Sequence, residues 1–79
     1  MNNLSNEVRD LLIKHLKIDL KTIPSSIDTE TIENWDSLAH LMIIEEISKK
    51  YNLDISTSDA SNLLSEQDII QYLKKNLQY

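Results

Sequence analysis

The stretch Trp35-Asp36-Ser37-Leu38-Ala39-His40-Leu41-Met42-Ile43-Ile44-Glu45-Glu46-Ile47 decides how this chain folds. Asp36 and Ser37 are both residue types that cap helices, and either could open one here. With successive residues turned by about 100°, Ile43, Ile44, Ile47 and Tyr51 gather on one side. That spacing predicts a helix running to about Tyr51 with those residues facing a core. Leu38 and Met42 fall roughly opposite, in company with Glu45 and Lys49. Apolar residues standing together on a charged face are more informative than isolated ones. Glu45 with Lys49 and Glu46 with Lys50 have the i, i+4 order that supports a helix by about 0.3–0.5 kcal/mol per pair.

Upstream lies a long connection, Ile18 to Trp35. Ile18, Leu20, Ile23, Ile27 and Ile32 are spaced through it as anchors, and Pro24 disfavours helix at Ile23. A loop pinned across helix ends fits this pattern, bridging two helices that run the same way or crossing the bundle diagonally. Before it, Leu4, Val8, Leu11, Leu12 and Leu16 share one face of a first helix reaching Lys17, with Asn3 or Ser5 as its cap. His15 falls in that apolar stripe and reads as a packing residue suited to a helix C-terminus. Downstream, Ser56 with Asp59 and Ser65 with Asp68 are weak capping patterns. They predict one or two turns between Ser56 and Leu64, then a last helix with Ile69, Ile70, Leu73 and Leu77 inward and Tyr72 at its edge. The expected architecture is all-α: a small four-helix bundle of three longer helices and one short one, forming a single domain over residues 1–79.

Composition agrees. Seventy-nine residues allow one small domain, and the absence of cysteine rules out a disulfide framework or a thiolate metal site. Glycine is absent and proline occurs once, so the tight turns of a sheet would be hard to build. No apolar run is long enough to span a bilayer, and the chain reads as soluble and cytoplasmic. The net charge is −5. No Lys or Arg lies between Lys21 and Lys49, whereas Asp28, Glu30, Glu33, Asp36, Glu45 and Glu46 all do. That middle section disfavours nucleic acid and favours a partner with a basic face.

Catalysis is short of parts. His40 stands three residues after Ser37, but acyl transfer also needs an orienting partner for the base and oxyanion donors. A glycine-rich phosphate loop is impossible, and two histidines cannot make a structural zinc site unaided. A serine at a helix N-terminus is nevertheless well placed to carry a phosphodiester, because free N–H groups and the helix dipole favour an anion there.

Asp36-Ser37-Leu38, mid-chain in an acidic four-helix chain of this length, resembles the acyl carrier protein family. In that family the serine of an Asp-Ser-Leu motif carries 4′-phosphopantetheine. The similarity runs over essentially the whole chain: the long loop, the core residues Ile43, Ile47 and Tyr51, and the ending from Ile55 to Leu73. It implies a non-catalytic carrier with covalent 4′-phosphopantetheine on Ser37, and Asp36 as the neighbour recognised by a phosphopantetheinyl transferase. Leu38, Leu41 and Glu45 match positions that partner enzymes touch. Cargo held as a thioester could be sheltered near Ile47, Ile55, Ala60 and Leu63, between the second and third helices.

Two departures qualify that resemblance. Asn34 stands where the family often has Gly, and Asn is the next most tolerant residue of a left-handed turn. Ala39, Met42, Ser48 and Lys49 replace acids expected on the second helix, so docking should lean on Leu38, Leu41 and Met42. These departures suggest a monomeric, stand-alone carrier for a specialised pathway rather than bulk fatty-acid synthesis. Its partners would be an acyl- or aminoacyl-adenylating enzyme and the acyltransferases or synthases of one pathway, with no nucleic acid and no membrane insertion. An aminoacyl or peptidyl carrier, including a D-alanyl one, is the nearest alternative. An acidic helical docking module without cofactor is a more distant one. Ser37→Ala is expected to abolish function at a capping loss on the order of 1 kcal/mol.

Overall fold

The computed structural model describes residues 4–77. Four helices follow in order: α1 (Leu4–Leu16), α2 (Ser37–Tyr51), α3 (Thr57–Ala60) and α4 (Glu66–Leu77). The fold is all-α, with an isolated bridge between Asp28 and Ser65. The expected core is the observed one: Leu4, Val8, Leu11, Leu12 and Leu16 from α1, Ile43, Ile44 and Ile47 from α2, and Ile69, Ile70 and Leu73 from α4 are buried together. Tyr51, Tyr72 and Leu77 pack at its margin. Ser5 lies inside α1 and so does not cap it; the other candidate, Asn3, is outside the described residues.

α1 and α2 are antiparallel neighbours. At one end the Asn34 side-chain amide donates to the Leu16 carbonyl at 2.9 Å. At the other, the Tyr51 hydroxyl donates to Glu7 at 2.7 Å. The loop therefore does not join helices running the same way. Its length goes into a detour to the start of α4, where Thr29 N–H donates to the Leu64 carbonyl and Glu66 N–H to the Ile27 carbonyl. Ile27 and Trp35 are buried, with Ile18, Ile23 and Ile32 packed beside them. Leu20, expected as an anchor, is 72% exposed. It sits in the turn closed by Thr22 N–H on the Asp19 carbonyl, which carries it away from the core.

Without glycine, α1 and α2 end on residues that accept left-handed geometry at some cost. Lys17 (φ 54°) and Asn52 (φ 53°) occupy it. The next N–H bonds back in each case, Ile18 to the Ile13 carbonyl and Leu53 to the Ser48 carbonyl, satisfying the last turn. Asn34 does not have positive φ. It serves instead as a side-chain donor to the end of α1, so the expected left-handed turn at that position is not formed.

Charged side chains tie the helices together. Glu66 is the one buried charged residue among those described. Arg9 meets it with two parallel hydrogen bonds of 2.8 Å, from Nε and Nη2, the two-pronged geometry that suits guanidinium and carboxylate. Glu46 lies against His15 and, at 3.8 Å, Lys14. The expected pairs of Glu45 with Lys49 and Glu46 with Lys50 are not among the ion pairs of the described residues. Glu46 is drawn to α1 instead, and Lys50 contributes only its field. The hydrogen bond from His15 chiefly holds the Glu46 carboxyl below its usual range, against some opposing desolvation.

Two expectations follow, both read by urea denaturation. Arg9→Ala strands a buried carboxylate and should cost about 2 kcal/mol, less than the 3–5 typical of fully buried pairs because Arg9 is partly exposed. Replacing both partners, as Arg9→Met with Glu66→Leu, should cost less than the single change. For Glu46, a depressed folded pKa means its contribution is complete above the unfolded value of about 4.3 and fades as pH falls through the folded value. Glu46→Gln should flatten that acid limb of the stability profile.

Candidate functional site

The N-terminus of α2 is set by Asp36. Its backbone is extended (φ −94°, ψ −173°), and its carboxylate accepts the Ala39 N–H at 2.9 Å. Its carbonyl accepts the His40 N–H. Both helix-start candidates in the sequence are thereby resolved: Asp36 is the cap and Ser37 is the first helical residue. Ser37 is exposed, and its hydroxyl has no hydrogen-bond partner among the described residues. The N–H groups of Ser37 and Leu38 also lack an acceptor among the described residues. A free hydroxyl therefore stands beside free donors at the positive end of a fifteen-residue helix.

The approach to this point is fixed from below. Trp35 is 5% exposed, and its indole N–H donates to His40 Nδ1 at 3.0 Å. His40 Nε2 in turn donates to the Ala60 carbonyl at 2.8 Å. Both imidazole nitrogens are engaged, so His40 has none with which to take a proton from Ser37. The spacing of Ser37 and His40 does not make a nucleophile and base. Among the described residues, no group of His, Asp and Glu could hold a metal, and no helix is long and apolar enough to cross a membrane.

Beyond Ser37 the outer face of α2 is apolar. Leu38 is 67% exposed, Leu41 56% and Met42 49%. Leu38 and Met42 border a groove of about 240 Å³ against the end of α1, where His15, Leu16 and Lys17 form the far wall. Exposed Glu45 continues the face beside Met42 and Lys49. On the other side of Ser37, a groove of about 440 Å³ lies between α2 and α3. Leu41, Ile44, Ile55 and Ala60 supply its apolar lining, with Ser37, His40, Thr57 and Ser61 as its polar groups. Of the four residues expected beside a cargo, Ile55 and Ala60 line this groove. Ile47 and Leu63 do not, being 0% and 4% exposed. Leu41 and Ile44, the latter at the core's margin with 9% exposed, take their places. The Trp35–His40 contact was not legible beforehand. The one available signal was a tryptophan five residues before a histidine across a helix cap, which many structures would satisfy without contact.

Since the cap and the serine are different residues, their substitutions should separate. Asp36→Ala should lower stability by about 1 kcal/mol, whereas Ser37→Ala should shift it by less than about 0.5 kcal/mol. Parallel thermal and urea unfolding of the two variants checks this, and the expected capping loss belongs to Asp36 alone.

No family model matches the chain. Curated relatives do, and over nearly its whole length. The acyl carrier protein of Aster yellows witches'-broom phytoplasma is 33% identical over 72 residues, covering 89% of this chain and 92% of the relative. That of Campylobacter concisus is 28% identical over 71 residues, covering 87% and 90%. That of Karelsulcia muelleri is 29% identical over 77 residues, covering 98% and 93%. With four helices in the expected order, the long first loop, and a 33% identical relative matched over nine-tenths of its length, this chain belongs to the acyl carrier protein family.

Proposed function

We propose that Ser37 is the residue to which 4′-phosphopantetheine is attached, and that the chain acts as a tether for acyl groups. The carrying observation is the division at the start of α2: Asp36 caps the helix, leaving the Ser37 hydroxyl exposed and without a partner among the described residues. The local groups suit a phosphodiester. The unpaired N–H groups of Ser37 and Leu38 and the helix dipole would favour its negative charge by roughly 0.3–1 kcal/mol at so exposed a place. Once bound, the group supplies a terminal thiol that holds the acyl chain, which is why a carrier without cysteine is chemically sufficient. The chain's own residues do the rest. Asp36 fixes the serine's position and offers an acid to the phosphopantetheinyl transferase. Leu38, Leu41 and Met42, with Glu45 at their edge, form the surface on which enzymes of acyl metabolism dock. Small apolar contacts of this kind suit partners that must exchange. The groove against α3 gives apolar cargo a place beside the attachment point. Tethering then raises the substrate's effective concentration at each partner.

The pathway reading rests on α2. Of the residues that replace the expected acids, Met42 and Lys49 are exposed on its outer face, whereas Ala39 is half-buried against the core and Ser48 bonds the Leu53 carbonyl; Glu46 is turned toward His15. This surface suits partners that dock by apolar contact, and we assign the chain to a specialised pathway supplied by an acyl- or aminoacyl-adenylating enzyme. Incubation with coenzyme A and a broad-specificity phosphopantetheinyl transferase should add one phosphopantetheine by intact mass, and none to Ser37→Ala. An unchanged wild-type mass beside a competent control carrier would leave an acidic docking module as the function. Efficient exchange with the fatty-acid carrier in a reconstituted fatty-acid synthase would overturn the pathway assignment.

A further inference from the structure

Helix α3 is the least secured element of the bundle. It comprises Thr57–Ala60 and contains no buried residue. Ser56 caps it by accepting the Asp59 N–H, but that bond is internal to the turn. Two side chains from the long helices hold it from outside. The Tyr72 hydroxyl of α4 donates to Asp59 at 3.1 Å, and His40 of α2 donates to the Ala60 carbonyl at 2.8 Å. Ile55 and Ala60 pack only partly against the core. These same residues form the wall of the groove that faces Ser37. What fixes α3 therefore fixes the width of that groove.

We propose that His40 is a positioning residue for the Ser37 site, acting as a neutral latch between Trp35 and α3. Its protonation pattern follows from its partners. The indole N–H of Trp35 can only donate, so Nδ1 must be the accepting, unprotonated nitrogen. The single imidazole proton then resides on Nε2, where it reaches the Ala60 carbonyl. Trp35 is buried, and its bond selects the tautomer that clasps α3. The latch joins the loop before Ser37, the first turn after it and the far wall of the groove. As a role toward cargo it rests on the reading of Ser37 as the attachment point, but the latch itself is a property of the chain before any modification.

The test uses the unmodified protein, so it stands apart from loading at Ser37. Nitrogen-15 NMR of the wild type should show His40 as the Nε2–H tautomer. His40→Gln places an amide nitrogen near the Nε2 position, and His40→Asn places an oxygen near Nδ1. Hydrogen exchange at the Ala60 and Ser61 amides, which close α3 on Ser56 and Thr57, should quicken about three- to tenfold in His40→Asn, the scale of one lost hydrogen bond. His40→Gln should keep the wild-type rate. The Trp35 indole proton should behave the opposite way, shifting in His40→Gln and holding in His40→Asn. An Nδ1–H tautomer in the wild type, or equal α3 exchange in all three proteins, would overturn the latch. Failure of the wild type to take up phosphopantetheine bears on Ser37 alone and leaves these readings intact.

Discussion

The bond from the Ala39 N–H to the Asp36 carboxylate is the constraint around which the site is built. It decides where α2 begins, and one residue of slip would rotate the helix by about 100°. In the observed register Ile43 and Ile47 are fully buried, while Leu38, Leu41 and Met42 face outward. The same bond relieves Ser37 of capping. A serine that both capped the helix and carried a prosthetic group would lose its structural bond on modification. Here the first turn is closed by a neighbour, and the hydroxyl is free for chemistry without loss to the fold.

Below that turn, polar side chains do much of the joining in a domain too small for a large core. Arg9 and Glu66 fasten α1 to the start of α4. Tyr51 and Glu7 fasten the far end of α2 to α1, and His15 with Glu46 ties the same two helices nearer the loop. This changes the meaning of the acidic middle of the chain. Asp28 closes the loop by accepting from the Thr31 N–H, the Ser26 hydroxyl and the Glu30 N–H, bonds that hold its carboxyl below the usual range against slight desolvation. Asp36 caps α2 and Glu46 faces α1. Of the six acids that would attract a basic partner, only Glu30, Glu33 and Glu45 keep exposed side chains without a protein partner among the described residues. The outer face of α2 around Leu38, Leu41 and Met42 is correspondingly more apolar than the charge distribution suggests.

What could be read from the chain was what repeats. Leu4, Val8, Leu11, Leu12 and Leu16 recur at helical spacing, and burial follows from that spacing alone. Local capping was also readable, because Ser56 and Ser65 act on residues three positions away. Contacts between distant residues were not. Glu66 is buried because Arg9, far away in sequence, comes to it, and no local pattern marks either residue. Leu20 looked like its loop neighbours but lies on the outside of a turn. Asn34 had the right residue type for a left-handed turn, yet the unpaired carbonyl at the end of α1 claimed its side chain. At the site, the motif singled out Ser37 and Asp36, but which of them capped the helix depended on backbone geometry. His40 invited a catalytic comparison with Ser37, and only its partners Trp35 and Ala60 revealed a different use.

The most direct measurement of the division between cap and attachment point is phosphorus-edited NMR on protein loaded from coenzyme A, together with hydrogen exchange at the Ala39 amide. Loaded protein should show a phosphodiester resonance coupled to the Ser37 β-protons, with Ala39 as protected as before loading because Asp36 remains its partner. Coupling to a different serine, or loss of Ala39 protection on loading, would contradict that division.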